Sequence, residues 1–216
     1  MQSERGCFIT FEGGEGSGKS TQLRRLAETI RNTGLKVVTT REPGGTPAAE
    51  AIRAVLLRGG AQPFGPLAEA ALFAAARADH VASFIRPYLE DGATVLCDRY
   101  IDSSRAYQAS VGSYLRHLER AAINGMVPDL TLVFDLDPAI GVERVRARDG
   151  GLDRFESSDL QEQERRRETF LTIARNEPER CVIVDASGTA DTVHQLAMNA
   201  VRERLPTLLQ ETGETA

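Results

Sequence analysis

The sequence predicts an α/β protein, a five-stranded parallel sheet with helices on both faces. Two observations carry that expectation. Five short apolar runs, 7–11, 36–40, 94–97, 130–136 and 181–185, alternate with stretches of helical periodicity, as in parallel strands joined by crossover helices. Between the first run and the first helix stands Gly13-Gly14-Glu15-Gly16-Ser17-Gly18-Lys19-Ser20. It matches the G-x-x-x-x-G-K-[ST] phosphate-binding loop in the strand-to-helix setting that the loop requires.

Glycines let such a backbone turn tightly and aim its N–H groups at an anion, and the helix N-terminus adds positive potential. Lys19 then reaches the outer phosphates, and the Ser20 hydroxyl is placed to ligate Mg²⁺. The strands, helices and loop together predict a P-loop NTPase fold that binds a nucleoside triphosphate, with catalytic groups beyond the carboxyl ends of the strands.

At 216 residues the chain suits one well-buried domain and is marginal for two. No repeat, low-complexity segment or linker divides it, so residues 1–216 are expected to form a single domain, with a polar tail at about 207–216. The net charge of −5 gives no basic surface for nucleic acid. Cys7, Cys97 and Cys181 sit in or beside apolar runs and read as core residues. With no basic-then-apolar leader and no apolar run of membrane-spanning length, the expectation is a soluble cytoplasmic protein.

After the loop, Leu23, Leu26, Ala27 and Ile30 share one face of the first helix, which closes at Thr33-Gly34. The second strand runs into Arg41-Glu42-Pro43-Gly44-Gly45, and Thr46-Pro47 has the character of an N-cap and first helical residue. Arg41, at a strand's carboxyl end, would face the phosphate cleft; an exposed turn arginine is the plainer alternative. Residues 66–90 form a long helical pattern that Pro87 should kink or end. Within it Phe73 and Arg77 lie one above the other, an aromatic ring beside a guanidinium fork, although a core Phe with a surface Arg has the same spacing. His80 reads as a helix-surface residue.

The third strand ends in Asp98-Arg99-Tyr100. A carboxylate there is the expected partner of the nucleotide's Mg²⁺, with an Asp–Arg structural pair as the alternative. Ser104 and Gln108 follow one helical turn apart, with Tyr107 beside them. The fourth strand leads through Asp137-Pro138 to a helix carrying Arg144, Arg146 and Arg148, then to Gly150-Gly151 and Arg154. That pattern suits a lid, about 144–157, that closes cations over phosphates. Arg165-Arg166-Arg167 behind Glu162 and Glu164 reads as a solvated, salt-bridged face, and Asp185-Ala186-Ser187-Gly188 as a strand-to-helix turn near the adenine.

Taken together, Phe11–Thr21, Thr40-Arg41-Glu42-Pro43-Gly44-Gly45-Thr46, Leu72–Arg77, Asp98-Arg99-Tyr100 through Tyr107-Gln108, Pro128–Thr131 and Leu152–Glu156 resemble the thymidylate kinase family in content and order. The resemblance implies phosphorylation of dTMP by ATP with Mg²⁺, in a homodimer. Alternatives are a kinase for another nucleoside monophosphate or a nucleotide-dependent switch ATPase. It implies that residues 13–21 hold ATP, that Glu15 reaches the substrate sugar, and that Arg41 and Arg99 clamp the acceptor phosphate. Pro43 corresponds to the family's cis-proline. Phe73 is implied to stack on thymine, Arg77 to donate to its O4, and Ser104 and Gln108 to complete the edge. Tyr107 is placed to crowd a ribose 2′-OH, and Asp98 to sit near Mg²⁺. Gly16 stands where some members carry a catalytic arginine, so the lid type is implied, with Arg154 the catalytic candidate and Arg148 its accessory.

Overall fold

The computed structural model describes residues 5–147 and 159–210. The strands are β1 Phe8–Gly13, β2 Val37–Arg41, β3 Thr94–Asp98, β4 Leu130–Asp135 and β5 Cys181–Asp185, all parallel, in the order β2-β3-β1-β4-β5. Around them lie α1 Lys19–Arg31, α2 Pro47–Leu57, α3 Gly65–His80, α4 Arg86–Glu90, α5 Ile101–Tyr107, α6 Ser113–Ile123, α7 Pro138–Arg146, α8 Leu160–Asn176 and α9 Ala190–Arg204. Among the described residues no helix is long and apolar enough to cross a membrane.

Local chemistry sets the helix starts. The side chains of Thr46, Asp137, Asp159 and Thr189 accept backbone N–H groups of the first turns of α2, α7, α8 and α9. Helix α1 instead begins at Gly18, whose φ of 86° places it in the left-handed region. Near Pro87 the chain neither breaks nor ends. Residues Val81–Ile85 form a π-helical turn between α3 and α4. Its wider ring accommodates a proline that lacks an N–H and crowds the carbonyl four residues back.

Strand alternation divides the core. Ile9, Phe11, Leu96, Leu130, Leu132 and Phe134 face α1 and α9, where they meet Leu26, Ile30, Ala197 and Val201. On the opposite face Phe8, Val95 and Cys97 pack with Ile85, Leu89, Tyr100 and Ile123. That second face also carries a polar seam. Thr10 and Thr131 share a hydrogen bond of 2.8 Å, and buried Asp102 takes both terminal nitrogens of Arg180 at 2.7 and 2.8 Å. The register sets Arg41 beside Asp98, and Asp98 beside Phe11. Three strand ends therefore open on one cleft, where open α/β sheets bind their ligands.

Candidate active site

A cavity of about 670 Å³ lies beyond those strand ends. The phosphate loop forms one side. Gly13 has a φ of +133°, and a Cβ on it would lie 2.4 Å from the Phe134 carbonyl oxygen. At Gly16 a Cβ would come within 2.3 Å of the Gly141 carbonyl oxygen. No side chain fits at Gly16, so an arginine there is excluded while the loop rests on α7. Gly14 has open space around it and, like Gly13, does not line the cavity; Glu15, Gly16, Ser17, Gly18, Lys19, Ser20 and Thr21 do.

Lys19 Nζ donates to the Gly14 carbonyl at 2.6 Å and to Ser17 Oγ at 3.3 Å. Burial, then the charge of Arg99, pull its pKa down to about 8 against the opposing carboxylates Glu15, Asp98 and Glu12. The Ser20 hydroxyl donates to Asp98 Oδ2. A hydroxyl and a carboxylate, side by side and both lining the cavity, are hard oxygen donors of the kind Mg²⁺ takes. Among the described residues no cluster of three or more His, Cys, Asp or Glu could hold a metal. One hydroxyl and one carboxylate suit a Mg²⁺ that is bound largely through phosphate oxygens and water.

Across the cleft, Arg99 has a left-handed φ of 70°. Its backbone N–H donates to Phe11 O at 2.9 Å. Glu12, fully buried, holds the next turn by accepting from Tyr100 N at 2.8 Å, Ser103 N at 3.3 Å and Ser103 Oγ at 2.6 Å. Burial, followed by the charge of Asp102, raises the Glu12 pKa. The Arg99 guanidinium donates to Gly13 O and Ser103 Oγ, each at 3.1 Å, and to Glu15 Oε1 at 2.6 Å. Tyr107 donates to the same Glu15 oxygen at 2.8 Å. Burial alone would raise the Glu15 pKa. The charges of Arg99 and Lys19, with hydrogen bonds from Tyr107 and Arg99, outweigh it and bring the value to about 2.

Arg77 is 4% exposed. Its Nε donates to Glu42 Oε2 at 2.6 Å, Nη1 to Ser104 Oγ at 2.9 Å and Nη2 to the Tyr100 carbonyl at 2.8 Å. Phe73, Arg77, Ser104 and Gln108 all line the cavity. The Glu42–Pro43 peptide bond is cis, as the resemblance implied. Arg41 also lines the cavity, but its side chain is 54% exposed and donates to Glu50 at 2.9 and 3.1 Å. Ala186 and Gly188 reach the phosphate-loop end of the cavity. Arg144, at the start of the expected lid, donates to the carbonyls of Ala186 at 3.0 Å and Ser187 at 3.3 Å. Arg148, Arg154 and the rest of the expected lid from 148 to 157 lie outside the described residues.

Two sequence expectations are corrected. His80 is not a surface residue; its ring is fully buried, held between Glu42 and Thr40. The run 165–167 is not one solvated face. Arg165 is exposed beside Glu162, but Arg166 is 11% exposed and lies 4.4 Å over the Tyr107 ring, and Arg167 pairs with Asp135. Each successive residue of a helix points about 100° from the one before, so three adjacent arginines cannot share one face. Glu12, Glu42 and Ser103 were also missed as site residues. Glu12 had a signal, since it sits two residues beyond Thr10 on the same face of β1.

A lysine-bearing glycine loop, leading from β1 into α1 at the carboxyl end of a parallel sheet, defines a P-loop nucleotide-binding protein. Comparison with known proteins narrows the class. The sequence model of the family described as thymidylate kinase matches residues 11–197. A thymidylate kinase of Caulobacter vibrioides is 50% identical over 205 residues, which cover 93% of this chain and 98% of that protein. One from Bradyrhizobium sp. (strain ORS 278) is 48% identical over 207 residues, covering 93% and 92%. The chain belongs to the thymidylate kinase family.

Proposed function

We propose that the protein transfers the terminal phosphoryl group of ATP to dTMP, giving dTDP for dTTP synthesis, as a single cytoplasmic kinase domain. The observation that carries this reading is one cavity holding a phosphate loop at one end and a buried, pre-bonded guanidinium, Arg77, at the other. Residues 13–21 bind the triphosphate, with Lys19 on its outer phosphates. Ser20 and Asp98 would hold Mg²⁺, which would offset phosphate charge when bound.

Arg99 and Arg41 take the acceptor phosphate, so two anionic groups can meet in line with their repulsion reduced. Pro43 shapes the turn beside them, and Glu15 accepts from the sugar hydroxyl. Tyr107, tied to Glu15, crowds a 2′-OH and favours the deoxy sugar. Phe73 stacks on thymine. Arg77, Ser104 and Gln108 read its edge, and a donor facing O4 leaves the amino group of cytosine opposed to another donor. Because Gly16 admits no side chain, the charge on the transferring group falls to the lid, with Arg154 as the catalytic arginine and Arg148 as its accessory. Exposed Phe64, Leu67 and Tyr114 support a homodimer.

The test is ADP release with Mg·ATP against dTMP, dUMP, dCMP, dGMP, thymidine and no acceptor. The expected result is a large rate with dTMP, partial activity with dUMP and little with dCMP or thymidine. A methyl group is worth only about 1–3 kcal/mol of discrimination, whereas an unpaired buried polar group gives about 10⁴-fold. A slow rate that ignores every acceptor would reject the kinase reading in favour of a switch ATPase.

A further inference from the structure

Among the described residues, His80 is a buried group with no part in the proposed chemistry whose two ring nitrogens are both engaged. Its ring is 0% exposed. Nδ1 donates to Glu42 Oε1 at 3.0 Å, and Nε2 lies 2.7 Å from Thr40 Oγ1. A carboxylate can only accept, so Nδ1 carries the ring proton. Nε2 is then free to accept from the Thr40 hydroxyl, and a neutral imidazole satisfies both contacts.

The other Glu42 oxygen, Oε2, receives Arg77 Nε at 2.6 Å. The terminal torsion of a glutamate is broad and roughly two-fold. A carboxylate held by Arg77 alone could rotate and leave the Nε edge of the guanidinium without a fixed acceptor, so that only Ser104 and Tyr100 would set its plane. Held at its second oxygen by His80, it cannot. Of the five guanidinium N–H groups, three go to Glu42, Ser104 and Tyr100, and one on each terminal nitrogen remains. Independently, a Cβ on Gly45 would lie 2.5 Å from both His80 Nε2 and Thr40 Oγ1. The 41–45 turn therefore rests directly on the His80–Thr40 pair.

We propose that His80 is a positioning residue for selection of the acceptor base, acting through Glu42 to fix the plane of the Arg77 guanidinium. The inference rests on the acceptor reading above. Two variants separate the ring's two bonds. In His80→Asn the amide nitrogen takes the place of Nδ1 and still donates to Glu42. In His80→Gln the amide reaches Thr40 and leaves Glu42 Oε1 without its donor.

The expected result for His80→Gln is a rise of about tenfold in the KM for dTMP and a narrowing of about tenfold in the dTMP-to-dCMP ratio of kcat/KM. Its kcat and its KM for ATP should change little. His80→Asn should stay within about threefold of the unmodified protein on every count. Equal behaviour of the two variants, or unchanged selectivity in folded His80→Gln, overturns the proposal.

Should melting curves show that His80→Gln does not fold, Thr40→Val removes the partner of Nε2 at nearly constant volume. Like His80→Asn it keeps the Nδ1–Glu42 bond, so it should hold the selectivity within about threefold, and a tenfold loss there would place the effect in the Thr40 contact and overturn the proposal. Failure of the unmodified protein to use dTMP would refute the acceptor reading instead. The variants are then scored on whichever nucleoside monophosphate it does accept, because the Glu42–Arg77 geometry is the same for each.

Discussion

At the end of the cavity proposed to take the acceptor, the cations are bonded to protein groups from several elements. Arg77 is tied to Glu42, Ser104 and Tyr100, and Arg99 to Glu15, Ser103 and Gly13. At the phosphate-loop end Lys19 donates only within its own loop, to Gly14 and Ser17, among the described residues. Gly14 and Gly18 there have open space around them. On the proposed function, the difference follows from what each end must recognise. Phosphates look alike in every nucleotide, so a glycine backbone and one lysine suffice. A base must be told from its near relatives. That requires donors whose directions are set in advance, since discrimination comes from polar groups left unpaired by the wrong ligand.

Substitutions at the two ends should therefore fail in different ways. The largest effect is expected from Arg154→Ala, on the phosphoryl-transfer side. It should lower kcat by about 10³–10⁵ with little change in the KM for dTMP. A loss below about tenfold, with chemistry limiting, would move the catalytic charge elsewhere.

Arg77→Met should do the reverse, collapsing the preference for dTMP over dCMP by up to about 10⁴-fold while sparing transfer chemistry. It should also cost the fold about 3–5 kcal/mol, because Glu42 would stay buried without its cation. Denaturant unfolding alongside kinetics measures both. Equal use of dCMP and dTMP by the unmodified protein would remove this role of Arg77.

The smallest effect concerns Glu15, where the two ends meet. Its pKa in the fold is depressed to about 2, so the stability it contributes is present above the ordinary carboxylate range and is lost as pH falls through about 2. That contribution is at most about 3 kcal/mol. Glu15→Gln should therefore melt lower than the unmodified protein at pH 5 and above, and the gap should shrink towards pH 2. A gap that does not change with pH would show that the Arg99–Glu15–Tyr107 group is held by packing rather than by charge.

The acceptor end was only partly legible in the sequence. Phe73, Arg77, Ser104 and Gln108 were expected there and do line the cavity. The groups that orient them were not expected. Glu42 lies 35 residues from Arg77 and 38 from His80, and no helical or strand period joins such positions. Arg166 read as surface because its neighbours Arg165 and Arg167 are the kind of residue that stays in water, and its own contact, Tyr107, comes from α5.

The sequence by itself determined the five strands, the caps of α2 and α7 and the phosphate loop. Each depends on residues within one or two turns of each other, whose spacing fixes backbone direction and sidedness. Only the tertiary structure decided which polar side chains would be buried, and against what. Burial of His80, Glu12 and Glu42 is favourable only because partners from other elements satisfy every donor and acceptor.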